Sequence, residues 1–142
     1  MKYLVAITIF AIVLINNSEA KVFSKCEFAR AMSNAGFSRA SLPNWVCLVK
    51  SESNFNSRVK GGPNSNGSYD WGIFQINDKY WCKVGYKGGD CNMNCNQLVD
   101  DNISDDIACT KIIYKRHGYN AWYGWKNKCQ GSLAAYQVNE CF

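Results

Sequence analysis

The spacing of hydrophobic and polar positions changes along the chain, and these changes predict its secondary structure. An apolar run from Tyr3 to Ile15 is followed by polar residues that end at Ala20. The run is too short to remain as a membrane span, and Ser18 with Ala20 forms the small-x-small pattern of a cleavage site. Residues 1–20 are therefore predicted to be a signal peptide, and residues 21–142 a secreted domain with no transmembrane segment.

Three amphipathic helices are predicted after the signal peptide. They run from Ser24 to Gly36, from Leu42 up to Asn54 and from Ser104 to Gly118. The first begins with a capping box of Ser24 and Glu27, and Pro43 lies in the first turn of the second, where its missing N–H has no cost. The residues after 118 are predicted to form short helices and loops.

A strand is predicted between the second and third helices. Residues 61–67 are rich in Gly, Asn and Ser, and residues 68–77 are rich in aromatic and β-branched side chains. A turn followed by such a run is typical of an antiparallel hairpin. Residues 82–98 are predicted to be a cysteine-rich loop.

Eight cysteines follow the signal peptide: Cys26, Cys47, Cys82, Cys91, Cys95, Cys109, Cys129 and Cys141. An even number in a secreted domain of about 120 residues predicts four disulfides in one small domain, with on the order of a hundred pairings left open by spacing alone. A zinc site is disfavoured, because only Cys91 and Cys95 are closely spaced and the secretory pathway oxidises thiols.

The net charge of +5 is unchanged when the signal peptide is removed, because Lys2 and Glu19 leave together. A basic surface is attracted to polyanions, including the anionic surface of bacteria. No nucleic-acid partner is expected, because the basic residues are scattered and the 115–117 run suits the C-terminal end of a helix.

One face of the second predicted helix carries three apolar side chains and one carboxylic acid, at Trp45, Leu48, Val49 and Glu52. Burial against such a face penalises the charged form, so we expect the pKa of Glu52 to be raised. Asp70 is expected to stay ionised, because polar residues surround it in sequence, and Gly72 is expected to leave room for a sugar beside it. A neutral acid facing a carboxylate is the arrangement that glycosidic cleavage needs.

Simpler interpretations of these residues remain open. A glutamate at the edge of an apolar helix face often reaches solvent, and an aspartate beside a turn often binds local backbone donors. Several aromatic residues could stack on sugar rings or could equally be core: Trp71, Tyr80, Trp81, Trp122, Tyr123 and Trp125.

The segments 45–53, 66–77, 80–82 and 120–122 closely resemble chicken-type (c-type) lysozyme. The similarity extends over the whole of residues 21–142 and includes all eight cysteines in order. The segment 121–127, Ala-Trp-Tyr-Gly-Trp-Lys-Asn, resembles insect members most. The resemblance implies an α+β fold in which a helical lobe and a small antiparallel sheet lobe enclose a cleft.

The resemblance also implies roles for individual residues. Glu52 falls on the family's proton donor and Asp70 on its second catalytic carboxylate, a pairing known from c-type lysozyme itself and carried over here. Substrate-binding positions fall on Gln75, Asn77, Tyr80, Trp81, Ala121 and Trp122. The implied disulfides are Cys26–Cys141, Cys47–Cys129, Cys82–Cys95 and Cys91–Cys109. The implied enzyme is a monomer that needs no cofactor for catalysis and hydrolyses bacterial peptidoglycan with retention.

The loop before the third helix offers a set of oxygen ligands that suits Ca²⁺. It resembles the loop of α-lactalbumin and of calcium-binding lysozymes, which implies carboxylates at Asp100, Asp105 and Asp106 and backbone carbonyls at Gln97 and Asn102. The alternative is that Ser104 caps the helix and the acidic side chains favour its positive N-terminal end, without a metal.

Two non-enzymatic interpretations compete with hydrolysis. A cationic protein could kill bacteria by binding their anionic envelope, and a protein of the same fold could bind sugar without cutting it. The presence of both Glu52 and Asp70 favours the enzyme.

Overall fold

The structure is a computed structural model that describes residues 20–142. Apart from Ala20, the predicted signal peptide lies outside the described residues. Within residues 20–142 no helix combines the length and the apolar character that a membrane span requires.

Over residues 20–142, four α-helices account for most of the regular structure: α1 (Lys25–Asn34), α2 (Leu42–Ser53), α3 (Ser104–His117) and α4 (Tyr123–Lys128). Short 3₁₀ turns lie between and after them, at Arg39–Ser41, Cys95–Val99, Gly118–Ala121, Ala134–Tyr136 and Asn139–Cys141. The three predicted helices are confirmed as α1, α2 and α3, and the residues after 118 form the short helices expected there.

Local sequence signals set the helix ends. The Ser24 hydroxyl accepts a hydrogen bond from the Glu27 amide, and the Glu27 carboxylate accepts one from the Ser24 amide, which confirms the capping box. Helix α2 ends where Asn54 takes the left-handed conformation with φ of 51°. Ser104 does not cap α3 as the metal-free interpretation supposed, because its amide and hydroxyl both donate to the Asn102 side chain.

Three two-residue strands form an antiparallel sheet: β1 (Lys60–Gly61), β2 (Asp70–Trp71) and β3 (Ile76–Asn77), in the order β1-β2-β3. Asp70 lies opposite Gly61 on one side and Asn77 on the other. The expectation of one strand over 68–77 is wrong, because a turn between β2 and β3 reverses the chain.

That turn needs backbone conformations that favour glycine, with φ of 74° at Gly72, and the Gln75 amide donates to the Gly72 carbonyl. Ile73 and Phe74 are fully buried beneath the turn. The expected role of Gly72 beside a sugar is also wrong. A Cβ at Gly72 would lie 2.0 Å from the Leu98 carbonyl oxygen and 2.6 Å from Asp106 Oδ2, so the missing side chain makes room for protein.

The core lies between the helices and the sheet and is centred on the fully buried Trp45 of α2. Its ring contacts five other aromatic rings, those of Phe37, Phe74, Tyr114, Tyr119 and Trp122. Four disulfides join Cys26 to Cys141, Cys47 to Cys129, Cys82 to Cys95 and Cys91 to Cys109, the same pairs that the resemblance implies. The packed rings join α2 to the turn of the sheet through Trp45 and Phe74, and the Cys91–Cys109 disulfide joins the cysteine-rich loop to α3.

Candidate active site

A cavity of about 410 Å³ is lined by residues of both the helical part and the sheet. Glu52 of α2 and Asp70 of β2 both line it. So do all six residues that the resemblance implies for sugar binding: Gln75, Asn77, Tyr80, Trp81, Ala121 and Trp122. The two carboxylic acids therefore face one common space.

Glu52 lies in the last turn of α2, on the side of the helix that carries the buried Trp45, Leu48 and Val49. One hydrogen bond reaches its carboxyl group, from the Gly124 amide to Oε1 at 2.8 Å. Burial raises the pKa of Glu52 above its ordinary value, and the negative charge of Asp70 raises it further, while the Gly124 amide acts in the opposite direction. The protonated form that an acid catalyst needs is thus favoured.

Asp70 has a different environment, in which each carboxylate oxygen accepts a side-chain amide hydrogen bond. Asn77 donates to Oδ1 and Asn64 donates to Oδ2, each at 2.9 Å. Both amides also donate to the Ser68 hydroxyl, which in turn donates to the Asn66 side chain. These donors satisfy both oxygens of the carboxylate and fix its orientation.

The sequence did not predict the parts played by Asn64 and Gly124. Asn64 lies in the turn before β2 and is six residues from Asp70, so neither helical nor strand periodicity links the two. Gly124 is 72 residues from Glu52 and meets it only because α4 packs on α2. The Asn-rich composition of residues 64–68 was the one available signal.

The aromatic residues of the cavity differ in exposure. Tyr80 is 57% exposed, whereas Trp81 is 9% and Trp122 4% exposed. The Trp122 indole N–H donates to the Phe74 carbonyl at 2.9 Å, which fixes its ring beside the cavity. The Arg116 guanidinium lies over the Trp81 ring, 5.2 Å from its centroid.

Two of the candidate aromatic residues are structural. Trp71 is 4% exposed and its indole donates to Asp78, while the Trp125 indole donates to Asn44 and its ring stacks on Tyr119. Neither lines the cavity. The core alternative left open for each aromatic therefore holds for these two.

The loop before α3 places one acidic group in an unusual environment. Asp106 is fully buried, and neither of its carboxylate oxygens has a hydrogen-bond partner. Burial raises its pKa to about 10, with Asp105 and Asp100 contributing. The pKa of Asp100 is also raised, mainly by burial.

The carboxylates of Asp100, Asp105 and Asp106 do not form a compact ligand cluster. Within residues 20–142, one group of three candidate ligand atoms lies within 4.8 Å, from Cys26, Cys141 and Glu140. Its two cysteines share a disulfide and cannot act as thiolate ligands. The unpartnered oxygens of Asp106 nevertheless suit a cation, because a buried charge is retained when it is paired or coordinates a metal.

Comparison with known proteins decides the family of this chain. Residues 21–141 match the model of the C-type lysozyme/alpha-lactalbumin family. The chain belongs to the C-type lysozyme/alpha-lactalbumin family. Within it the chain is an enzyme of the lysozyme type, a hydrolase with antibacterial character, as several similar curated lysozymes show.

The similar proteins include insect lysozymes. Lysozyme c-1 of Anopheles gambiae is 55% identical over 125 residues, which cover 88% of each chain. The lysozyme of Hyalophora cecropia is 45% identical over 141 residues, or 99% of each chain. A calcium-binding lysozyme from equine milk shares the fold with a TM-score of 0.77 and 42% identity, covering 85% of this chain and 98% of its own. The resemblance to insect c-type lysozymes and the α+β fold are thus confirmed.

Proposed function

We propose that this lysozyme hydrolyses the β-1,4 bond between N-acetylmuramic acid and N-acetylglucosamine in bacterial peptidoglycan, with retention of configuration. The supporting observation is the contrast between two carboxylic acids that line one cavity. Glu52 is largely withdrawn from water with one amide donor, and Asp70 accepts one amide on each oxygen. This contrast supports Glu52 as the proton donor and Asp70 as the group that faces the reacting carbon.

Glu52 is the general acid of the first step. Its proton passes to the glycosidic oxygen as the bond from that oxygen to C1 breaks, while Asp70 faces the positive charge that develops at C1. Asn64 and Asn77 hold the Asp70 carboxylate in place. Asp70 then bonds to C1, as the family's retaining chemistry implies.

The second step returns both residues to their starting states. Glu52, now a carboxylate, takes a proton from a water molecule, whose oxygen attacks C1 as the bond to Asp70 breaks. Tyr80 and Trp81 offer apolar surfaces to sugar rings, and Asn77 offers polar hydrogen-bonding groups. No step requires a cofactor.

The test of this function is hydrolysis of purified bacterial walls, followed across pH at two salt concentrations. We expect muramic acid at the new reducing ends, a high-pH limb set by Glu52, and weaker wall binding at high salt because of the +5 charge. Lysis without new reducing ends would instead support the alternative of a cationic, non-enzymatic protein. Binding to walls without lysis would support the alternative of a sugar-binding protein.

We also propose that the protein is secreted as a monomer after cleavage between Ala20 and Lys21. The support is the apolar segment that precedes Ala20 and the four disulfides of the domain. Amino-terminal sequencing of the secreted protein should begin at Lys21, and light scattering should give the mass of one domain.

A structural calcium site is proposed at the loop before α3. Asp100, Asp105 and Asp106 would supply carboxylate oxygens, and Gln97 and Asn102 would supply backbone carbonyls. The buried and unpartnered carboxylate of Asp106 supports it. The ion would neutralise the acidic side chains and stabilise the loop, and it would take no part in hydrolysis.

A further inference from the structure

Tyr123 is a highly exposed aromatic residue in the wall of the catalytic cavity. It is 73% exposed, yet it lines the same cavity as Glu52 and Asp70. A large exposed ring in a concave site indicates a binding surface, and aromatic faces are suited to stack on the apolar faces of sugars. The residues that the resemblance implies for sugar binding do not include Tyr123.

The position of Tyr123 relates it to the acid. Tyr123 is the first residue of α4 and directly precedes Gly124, whose amide donates to Glu52. Tyr80 and Trp81 reach the cavity from the other wall, because they follow β3 and the Trp81 amide donates to the Asn77 carbonyl. The cavity thus has one aromatic surface on the Asp70 wall and another on the Glu52 wall.

The chemistry of the proposed function distinguishes these two walls. Asp70 bonds to C1 of the sugar that stays on the enzyme, whereas Glu52 delivers its proton to the oxygen of the sugar that leaves. The leaving sugar must therefore lie against the Glu52 wall. A ring that adjoins Glu52 can contact the leaving sugar while Tyr80 and Trp81 contact the other half of the glycan.

We infer that Tyr123 stacks on the leaving-group sugar and that Lys126 binds the anionic substituents next to it. The Lys126 ammonium lies 5.5 Å from the centroid of the Tyr123 ring, one helical turn further along α4. In peptidoglycan every second sugar carries a lactyl group and a stem peptide with carboxylates, which neutral chitin-like glycans lack. Lys126 thus makes this half of the site selective for anionic glycan. This inference rests on the proposed function.

Transfer to an added acceptor sugar reports on the leaving-group side of the site alone. The glycan on the other side is already bonded to Asp70 when the acceptor binds. In this step the C1–O bond to Asp70 breaks, C1 bonds to the acceptor's hydroxyl oxygen, and the hydroxyl proton passes to Glu52. Chitooligosaccharide is the donor, and the ratio of transfer to hydrolysis is read from the product lengths. Tyr123→Ala should lower this ratio by about three- to tenfold, and Tyr123→Phe should keep it within about twofold.

The matched control is Tyr86→Ala, which removes another highly exposed tyrosine, 63% exposed and outside the cavity lining, and should leave the ratio unchanged. Exposed substitutions of this kind preserve the fold. If the parent enzyme is active and Tyr123→Ala has the same ratio of transfer to hydrolysis, the inference is overturned while the proposed function stands. A parent enzyme that neither transfers nor releases reducing ends from peptidoglycan would overturn the proposed function as well.

Lys126→Gln tests whether the positive charge of Lys126 binds the anionic substituents of peptidoglycan. The ratio of kcat/KM on peptidoglycan to kcat/KM on neutral chitooligosaccharide should fall by about two- to fivefold at low salt, the range of an exposed ion pair. Lys128→Gln makes the same change in net charge on the same helix and should not alter the ratio. Equal ratios in the two variants would overturn the role of Lys126.

Discussion

The Gly124 amide donates a hydrogen bond of 2.8 Å to Glu52 Oε1, and this bond joins α4 to the last turn of α2. It opposes the rise in the Glu52 pKa, but burial is the larger effect and the net direction is upward. The one donor thus holds the carboxyl in a fixed orientation without cancelling the effect of burial. An acid in this state can keep its proton at pH values where an ordinary glutamate has lost it.

Replacing Glu52 by Gln should abolish most of the hydrolysis. The amide keeps the shape but has no proton to donate, so turnover on peptidoglycan should fall by roughly a hundredfold or more. The raised pKa means that ionisation of Glu52 costs native stability as pH rises through the folded pKa. The variant should therefore melt at the same or a higher temperature at neutral pH. Near-normal release of reducing ends by this variant would contradict the assignment of Glu52 as the general acid.

Trp122 should help to keep Glu52 protonated. Its ring is 4% exposed, is fixed by the bond to the Phe74 carbonyl, and lines the cavity with Glu52. Trp122→Ser should admit water and lower the Glu52 pKa, so the high-pH limb of kcat/KM should move to lower pH. Trp122→Phe keeps an apolar ring beside Glu52, so the Glu52 pKa should stay raised and the high-pH limb should move little. If Trp122→Ser is less active but its high-pH limb of kcat/KM is unchanged, Trp122 contributes sugar binding alone.

The sequence predicted those elements that depend on local signals. The capping box at Ser24, the end of α2 at Asn54 and the apolar face that carries Glu52 all follow from residues close in the chain. The turn at 72–75 did not, because Ile73 and Phe74 are strand formers by type and are here buried under a reversal of the chain. Tertiary packing overrides β-propensity at such positions.

Contacts between distant residues account for the other errors. The role expected for Gly72 was wrong because the Leu98 carbonyl and the Asp106 carboxylate, both far along the chain, fill the space beside it. The amides on Asp70 were missed in part because Asn64 reaches it across a turn. Residue types and spacing predict which groups carry the chemistry, but the partners that tune them come from packing.

Removing one of the two amide donors that bind the Asp70 carboxylate should reduce turnover with little effect on the fold. Asn77→Ala leaves Oδ1 without its donor and removes a second bond to the Ser68 hydroxyl. A hydrogen bond to a charged group is worth about 1.5–3 kcal/mol, so kcat should fall by roughly tenfold or more. The control is Asn96→Ala, an exposed asparagine outside the cavity lining. Equal kcat in the two variants, at equal melting temperature, would contradict an electrostatic role for Asn77.

Calcium should stabilise the folded protein without changing its catalytic residues. The folded pKa of Asp106 is raised to about 10 from an ordinary value of 3.8, so in chelator its contribution to stability is present at low pH and is lost as pH rises between those values. A bound cation would offset that loss. Free calcium at about a hundred times its Kd would add about 2.7 kcal/mol, which raises the melting temperature by several degrees.

The measurement is a melt in chelator against one in millimolar calcium, at pH 4 and at pH 7. We expect a clear gain at pH 7 and a smaller one at pH 4, where protons compete with the ion for the carboxylates. Asp106→Asn removes the cost of keeping a buried carboxyl protonated at pH 7, so it should raise the melting temperature in chelator and, by removing the carboxylate ligand, abolish the calcium gain. Asp101→Asn removes the same charge from the exposed neighbour that pairs with Arg58, and it should keep the gain. Identical melting temperatures with and without calcium at both pH values would leave Asp105 and Asp106 as acidic residues at the start of α3 and nothing more.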